Sequence, residues 1–309
     1  MSSTCADATR LAKEAPAGTA PTARGWVCVE QGGAWGRKAE RESGLDPEVA
    51  AHLSGAVEDL PVRLQLIRRP RRQARATPGA MDRVAQRRTV LLAHAGPQPW
   101  LEELEVDDVR MLLALDPSVC DSPTPPGLGR RVDEPRYLVC THAKRDRCCA
   151  TYGRPIADTL AALHPHRTWE VSHVGGHRFA ANLLVLPYGT VHGGLDVAAA
   201  VRVVDLLAAG RLELSTARGR SGLPRPAQAA ELLVRERLGL DHLDAVVVDG
   251  VADLGDDRAE VGLRAEGTDF VAEVVREPTG VPRPLSCDSD DAEDPGVYRL
   301  VALTPAGDR

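Results

Sequence analysis

The stretch Arg136-Tyr-Leu-Val-Cys-Thr-His142 carries an unbroken apolar run into a cysteine and a histidine, and reads as a buried β-strand with chemistry at its end. Downstream of it, residues 153–163 read as a helix, 168–172 as a strand, 182–186 as a strand turning at Pro187-Tyr-Gly189, and 197–209 as a helix. Upstream the same order is legible. Trp26-Val-Cys-Val-Glu30 reads as a strand, Gly32-Gly-Ala-Trp-Gly36 as a glycine-rich loop, and residues 47–60 as a helix. Two strands follow at 62–68 and 88–94, separated by the basic segment Arg69-Pro-Arg-Arg-Gln-Ala-Arg75, which reads as surface. A helix over 100–115, helped by acidic residues in its first turns, closes the unit. Val27-Cys28 holds the place in one half that Val139-Cys140 holds in the other. Two β-α-β-β-α halves define an α/β protein, and the order suits thioredoxin-like units with helices on both faces of a mixed sheet.

The expected organisation has four parts. Residues 1–23, rich in Ala, Thr, Ser and Pro, read as a flexible tail; 24–125 form the N-terminal half; 130–210 form the second half; and 222–309 form a small α+β C-terminal unit. The stretch 121–129, with Pro123, Pro125 and Pro126, reads as a linker. In the last unit, residues 226–238 read as a helix, followed by β-like runs at 244–249, 260–265, 270–277 and 297–304. The chain has 309 residues, and 38 basic against 44 acidic side chains give a net charge of −6. That balance supplies no bulk basic field for nucleic acid. No apolar run reaches the length of a membrane helix. Asp7, Lys13 and Glu14 stand where a signal peptide would be apolar, so a soluble cytoplasmic protein is expected.

An odd count of seven cysteines argues against a disulfide framework. Cys5, Cys28, Cys120 and Cys287 are scattered and read as small buried hydrophobes, Cys287 as structural. Cys140, Cys148 and Cys149 instead crowd into ten residues, followed by Ser172-His-Val-Gly-Gly-His177. Thiolates and imidazoles suit zinc, copper or iron–sulfur centres. Gly175 and Gly176 make a poor helix and a good turn. Cys149 reads as the end of a loop long enough to curl around a cluster. Vicinal Cys148 and Cys149 cannot easily both ligate one centre, so one is a ligand and the other packed. His142 reads as a loop residue beside the ligands. Lys144, Arg145, Arg147 and Arg178 read either as solvated surface or as charges that offset a cluster and dock an acidic partner. His164, Pro165 and His166 read as a solvated turn.

The string Cys-Thr-His-Ala-Lys-Arg-Asp-Arg-Cys-Cys-Ala from Cys140, with Trp169-Glu-Val-Ser-His-Val-Gly-Gly-His-Arg-Phe-Ala180 and Asn182-Leu-Leu-Val-Leu-Pro-Tyr-Gly189, closely resembles the sucrase/ferredoxin-like family. The resemblance covers roughly residues 5–205. It implies a thioredoxin-like [2Fe–2S] ferredoxin whose cluster is held by a C-x8-C and an H-x3-H pair. Carried over, these are Cys140 and Cys149, and His173 and His177, with Cys148 as the second choice. It further implies an electron carrier or redox sensor more than an enzyme, served by a redox partner protein. No paired carboxylates support sucrase chemistry. A structural Cys2His2 zinc site and a thiol-disulfide redox protein are the alternatives.

Overall fold

The computed structural model describes residues 4–70, 87–289 and 291–308. The part of the basic segment from 71 to 75 lies outside the described residues. The first half contributes β1 (Gly25–Glu30), α2 (Ala39–Glu42), α3 (Pro47–Ala56), β2 (Val62–Arg68), β3 (Arg88–His94) and β4 (Trp100–Val106), after an initial α1 (Cys5–Leu11). A short β5 (Arg130–Arg131) leads to the second half: β6 (Arg136–Cys140), α4 (Arg147–Leu163), β7 (Thr168–Val171), β8 (Leu183–Leu186), β9 (Thr190–His192), α5 (Val197–Ala208) and β10 (Ala217–Arg220).

Both halves share one large curled mixed sheet, ordered β10-β9-β8-β6-β7-β2-β1-β3-β4-β5. β1 lies parallel to β2 and antiparallel to β3, which pairs antiparallel with β4. β6 likewise lies parallel to β7 and antiparallel to β8, which pairs antiparallel with β9. The halves meet where β2 and β7 pair antiparallel through Ile67–Val171 and Arg68–Glu170. Strands such as β6 and β8 are buried on both sides, as continuous apolar runs require. Trp26, Trp100 and Trp169 fill the interior, concentrating the few aromatic residues where area burial counts most.

The third unit has α6 (Arg225–Leu238) laid on a four-stranded antiparallel sheet, β11 (Val246–Gly255), β12 (Arg258–Ala265), β13 (Thr268–Glu277) and β16 (Val297–Pro305). Between β13 and β16 a short ribbon, β14 (Arg283–Pro284) with β15 (Ala292–Glu293), carries an arm back toward α1. Inside α6, the fully buried Arg235 is neutralised by Glu231 at 3.0 Å and donates to the His242 carbonyl at 2.6 Å.

Three expectations are corrected. Residues 100–115 are not one helix: β4 pairs with β3 along its length, and a 3-10 helix follows at Val109–Ala114. The acidic residue Glu102, read as helix-terminal, is buried and accepts the backbone N–H groups of Gly127, Leu128 and Gly129 at 2.9, 2.9 and 3.1 Å. Those bonds fasten the stretch read as a linker to the sheet. Residues 4–23 are also folded. Thr4 and Asp7 form a reciprocal capping box that starts α1, and Cys5, Ala6, Ala20 and Ala23 are buried. Small residues, which signal a tail by composition, here permit close packing. The third correction concerns Cys148 and Cys149, which lie in the first turn of α4 rather than in a loop.

Candidate metal centre

Cys140 ends β6, fully buried, and the chain then turns through Thr141 to Asp146. Asp146 caps α4 by accepting the Cys148 N–H at 2.9 Å, which brings Cys148 and Cys149 to the positive end of that helix. Gly153 lets α4 approach β6 closely: a Cβ there would overlap the Cys140 carbonyl oxygen. Cys149 is thereby held against Cys140, with their sulfurs within 4.8 Å of each other. Its hydrogen bond from Cys149 holds Cys140 well below the usual thiol range, and Cys149 is pushed up in turn.

The histidines come from the turn after β7. Ser172 pins this turn to the first half, accepting the Leu66 N–H at 3.0 Å and donating to Gln65 Oε1 at 2.7 Å. Gly175 and Gly176 then adopt φ of 92° and 70°, the left-handed conformations expected of the pair. His173 and His177 stack with ring centroids 5.1 Å apart. His173 Nδ1 lies 3.7 Å from Cys149 Sγ, and the ligand atoms of Cys140, Cys149 and His173 all fall within 4.8 Å of one another. His177 directs Nε2 to Asp146 Oδ2 at 3.8 Å, and its buried Nδ1 meets no close hydrogen-bond partner among the described residues. Burial pushes the His177 imidazole down, toward the neutral form that ligates metals. The cysteine side of the group is sealed, while both histidines are partly exposed.

His142 stands beside the group as expected. Its Nε2–H donates to the Gly36 carbonyl at 2.6 Å, so its unprotonated Nδ1 accepts the His173 N–H at 3.2 Å. The glycine-rich loop of the first half therefore fixes a residue of the second. Lys144 and Arg145 are exposed. Arg147 is exposed too, and its guanidinium hydrogen-bonds Cys287, which raises its pKa. Arg178 is not a free docking charge. Its guanidinium is bound to the fully buried Glu14 carboxylate at 3.0 Å, which Arg283 also engages at 2.5 Å. His164, Pro165 and His166 occupy the turn between α4 and β7.

Cys148 does not join Cys140. It turns to the other side of the helix, where its Sγ meets those of Cys5 and Cys287 at 3.5 and 3.2 Å. Cys28 and Cys120 are core residues, as read. Cys5 and Cys287 are not isolated, which no local spacing could reveal. Arg218 was equally invisible. Its fully buried guanidinium donates to the Gly175 carbonyl at 3.0 Å and to Asn182 Oδ1 at 2.8 Å, while Asn182 donates to the Gly176 carbonyl at 3.0 Å. Removal from water pushes Arg218 down to about 9.

With this geometry in view, the comparison with known proteins is informative. The sucrase/ferredoxin-like family model matches residues 16–218. The chain belongs to the sucrase/ferredoxin-like family. No curated protein and no solved structure matches it. The family match takes in Cys140, Cys149, His173, His177 and, as its last residue, Arg218; it leaves out Cys5 and the C-terminal unit with Cys287. Among the described residues no helix of this sucrase/ferredoxin-like chain is long and apolar enough to cross a membrane.

Proposed function

We propose that the protein is an electron-transfer or redox-sensing ferredoxin that holds a [2Fe–2S] cluster on Cys140, Cys149, His173 and His177. The observation that carries this reading is the convergence of Cys140, Cys149 and His173, whose ligand atoms lie within 4.8 Å of one another, with the His177 ring stacked on His173 at 5.1 Å between centroids. Each half is read as a thioredoxin-like unit, supported by the recurrence of one parallel and two antiparallel pairings in β1–β4 and in β6–β9.

A cluster bound in this way supplies reversible one-electron transfer, at a potential raised because neutral imidazoles replace two thiolates. The chain's own residues set the conditions. Cys149 sits in the first turn of α4, whose dipole favours thiolate, and Cys140 ends β6 against it. His142 and Ser172 fix the backbone on either side of the 172–173 peptide. Arg218 and Asn182 lock the glycine turn, so the histidines need little rearrangement when loaded or reduced. The partly exposed imidazoles mark the edge nearest a partner, and the exposed Lys144 and Arg145 favour an acidic one.

Anaerobic purification of the full chain, with absorption, iron and sulfide analysis and EPR after reduction, tests the reading. Visible absorption that vanishes in His173→Ala or His177→Ala is expected. A colourless protein with zinc on the same four residues would replace it by the structural-zinc reading, and iron unaffected by either histidine substitution would refute it.

A further inference from the structure

Cys5 on α1, Cys148 in the first turn of α4 and Cys287 on the returning arm bring three sulfurs into one triangle. Its edges are 3.5 Å for Cys5–Cys148, 3.2 Å for Cys148–Cys287 and 3.5 Å for Cys5–Cys287. Asp146 Oδ2 completes the group 3.9 Å from Cys5 Sγ, and all four ligand atoms lie within 4.8 Å of one another. We propose that Cys5, Cys148, Cys287 and Asp146 form a second metal site, closed around one zinc ion, which staples α1 and the C-terminal arm to the start of α4.

The chemistry favours a cation over the other ways to occupy this space. The sulfurs are too far apart to be bonded, since a disulfide needs about 2.05 Å, and any bridge within a triad leaves one thiol over. As neutral thiols they would pack three soft acceptor sulfurs against a buried carboxylate and offer it only weak S–H donors besides its two backbone N–H bonds. As thiolates they would add charge beside a carboxylate that is itself 1% exposed. A divalent cation relieves both problems. Four donors about 2.3 Å from zinc stand about 3.8 Å apart in a tetrahedron, close to the edges seen here. Three sulfurs and one oxygen exclude calcium and magnesium, which take oxygen shells.

The site is also built in advance. Asp146 Oδ1 is occupied by the Cys148 N–H, and Oδ2 already accepts the Cys287 N–H at 2.9 Å, so the carboxylate cannot swing away. Arg147 hydrogen-bonds Cys287 from the solvent side. Near one end the arm is anchored by Arg283 on Glu14, which holds it over α1. Binding would release the thiol protons to solvent as ligand bonds form.

The proposal is independent of the cluster on Cys140, and metal analysis of the full chain separates the two. Purified without chelator, the protein is expected to carry about one zinc per chain in addition to any iron. Cys287→Ser should lower zinc about tenfold and leave iron unchanged, whereas Cys140→Ala should lower iron and leave zinc. Zinc that survives Cys287→Ser but is lost in Cys140→Ala would overturn the second site. So would a Cys148–Cys287 disulfide recovered by mass spectrometry from protein alkylated in denaturant without reductant. As a measurement that does not need Cys287→Ser to fold, metal-stripped Cys140→Ala should develop a thiolate-to-cobalt charge-transfer band that saturates near one equivalent of cobalt(II). Absence of that band would equally refute it.

Discussion

His177 Nε2 stands 3.8 Å from Asp146 Oδ2, and the same oxygen accepts the backbone N–H of Cys287 at 2.9 Å. One carboxylate thus touches the histidine turn, the cap of α4 and the C-terminal arm. Asp146→Asn keeps an oxygen to cap the helix, while Asp146→Ala removes it. The alanine variant should be less stable than the asparagine one by about 1 kcal/mol, read from denaturant midpoints. Equal midpoints would mean that the cap is not what Asp146 contributes.

Gly176 sits under the Arg218 guanidinium at φ 70°, where a Cβ would overlap the guanidinium. Gly176→Ala should cost about 1–3 kcal/mol and lower metal retention. Gly32→Ala, at a position with open space and no left-handed φ, should change neither.

Glu14 is buried between Arg178 and Arg283. Glu14→Gln leaves two guanidinium groups without their anion, and a loss of about 3–5 kcal/mol is expected in thermal or urea denaturation. A loss below about 1 kcal/mol would place these arginines in water rather than in the fold.

His192 is fully buried, with Nδ1 on Thr216 Oγ1 at 3.0 Å and no partner for Nε2 among the described residues. Burial lowers its pKa from 6.5 to about 3. The unfolded chain therefore binds the extra proton between these values while the folded one does not, so stability falls as pH drops below 6.5. The loss from this residue should reach about 2 kcal/mol near pH 5. His192→Gln should flatten that part of the stability–pH profile; an unchanged slope would assign it elsewhere.

The local part of this structure could be read from the chain. β2 and β3 fall where alternation and β-branching put them, and the turn at Gly175-Gly176 is where two consecutive glycines require it. β4 was misread because Glu102, Glu103 and Glu105 resemble a helix start, while their actual partners are distant. Glu102 bonds backbone 25 to 27 residues away, and Glu103 pairs with Arg136. Cys140, Cys148, Cys149, His173 and His177 are legible as a crowded set of thiols and imidazoles, and the C-x8-C and H-x3-H pairing among them is what the family resemblance implies. Arg218, Glu14, Cys5 and Cys287 are not, because each acts across the sheet or between units, and no periodicity encodes a contact over 139 or 282 residues.

The contact between Cys148 and Cys287 also sets an order of events during synthesis. At roughly 5–20 residues per second, Cys148 leaves the ribosome about 7–28 s before Cys287 exists. Through that interval the outward thiol beside Cys149 has no arm to cover it. A metal ion that arrived in that window would meet two adjacent cysteines, and only the later arm would reserve Cys148 for contacts of its own.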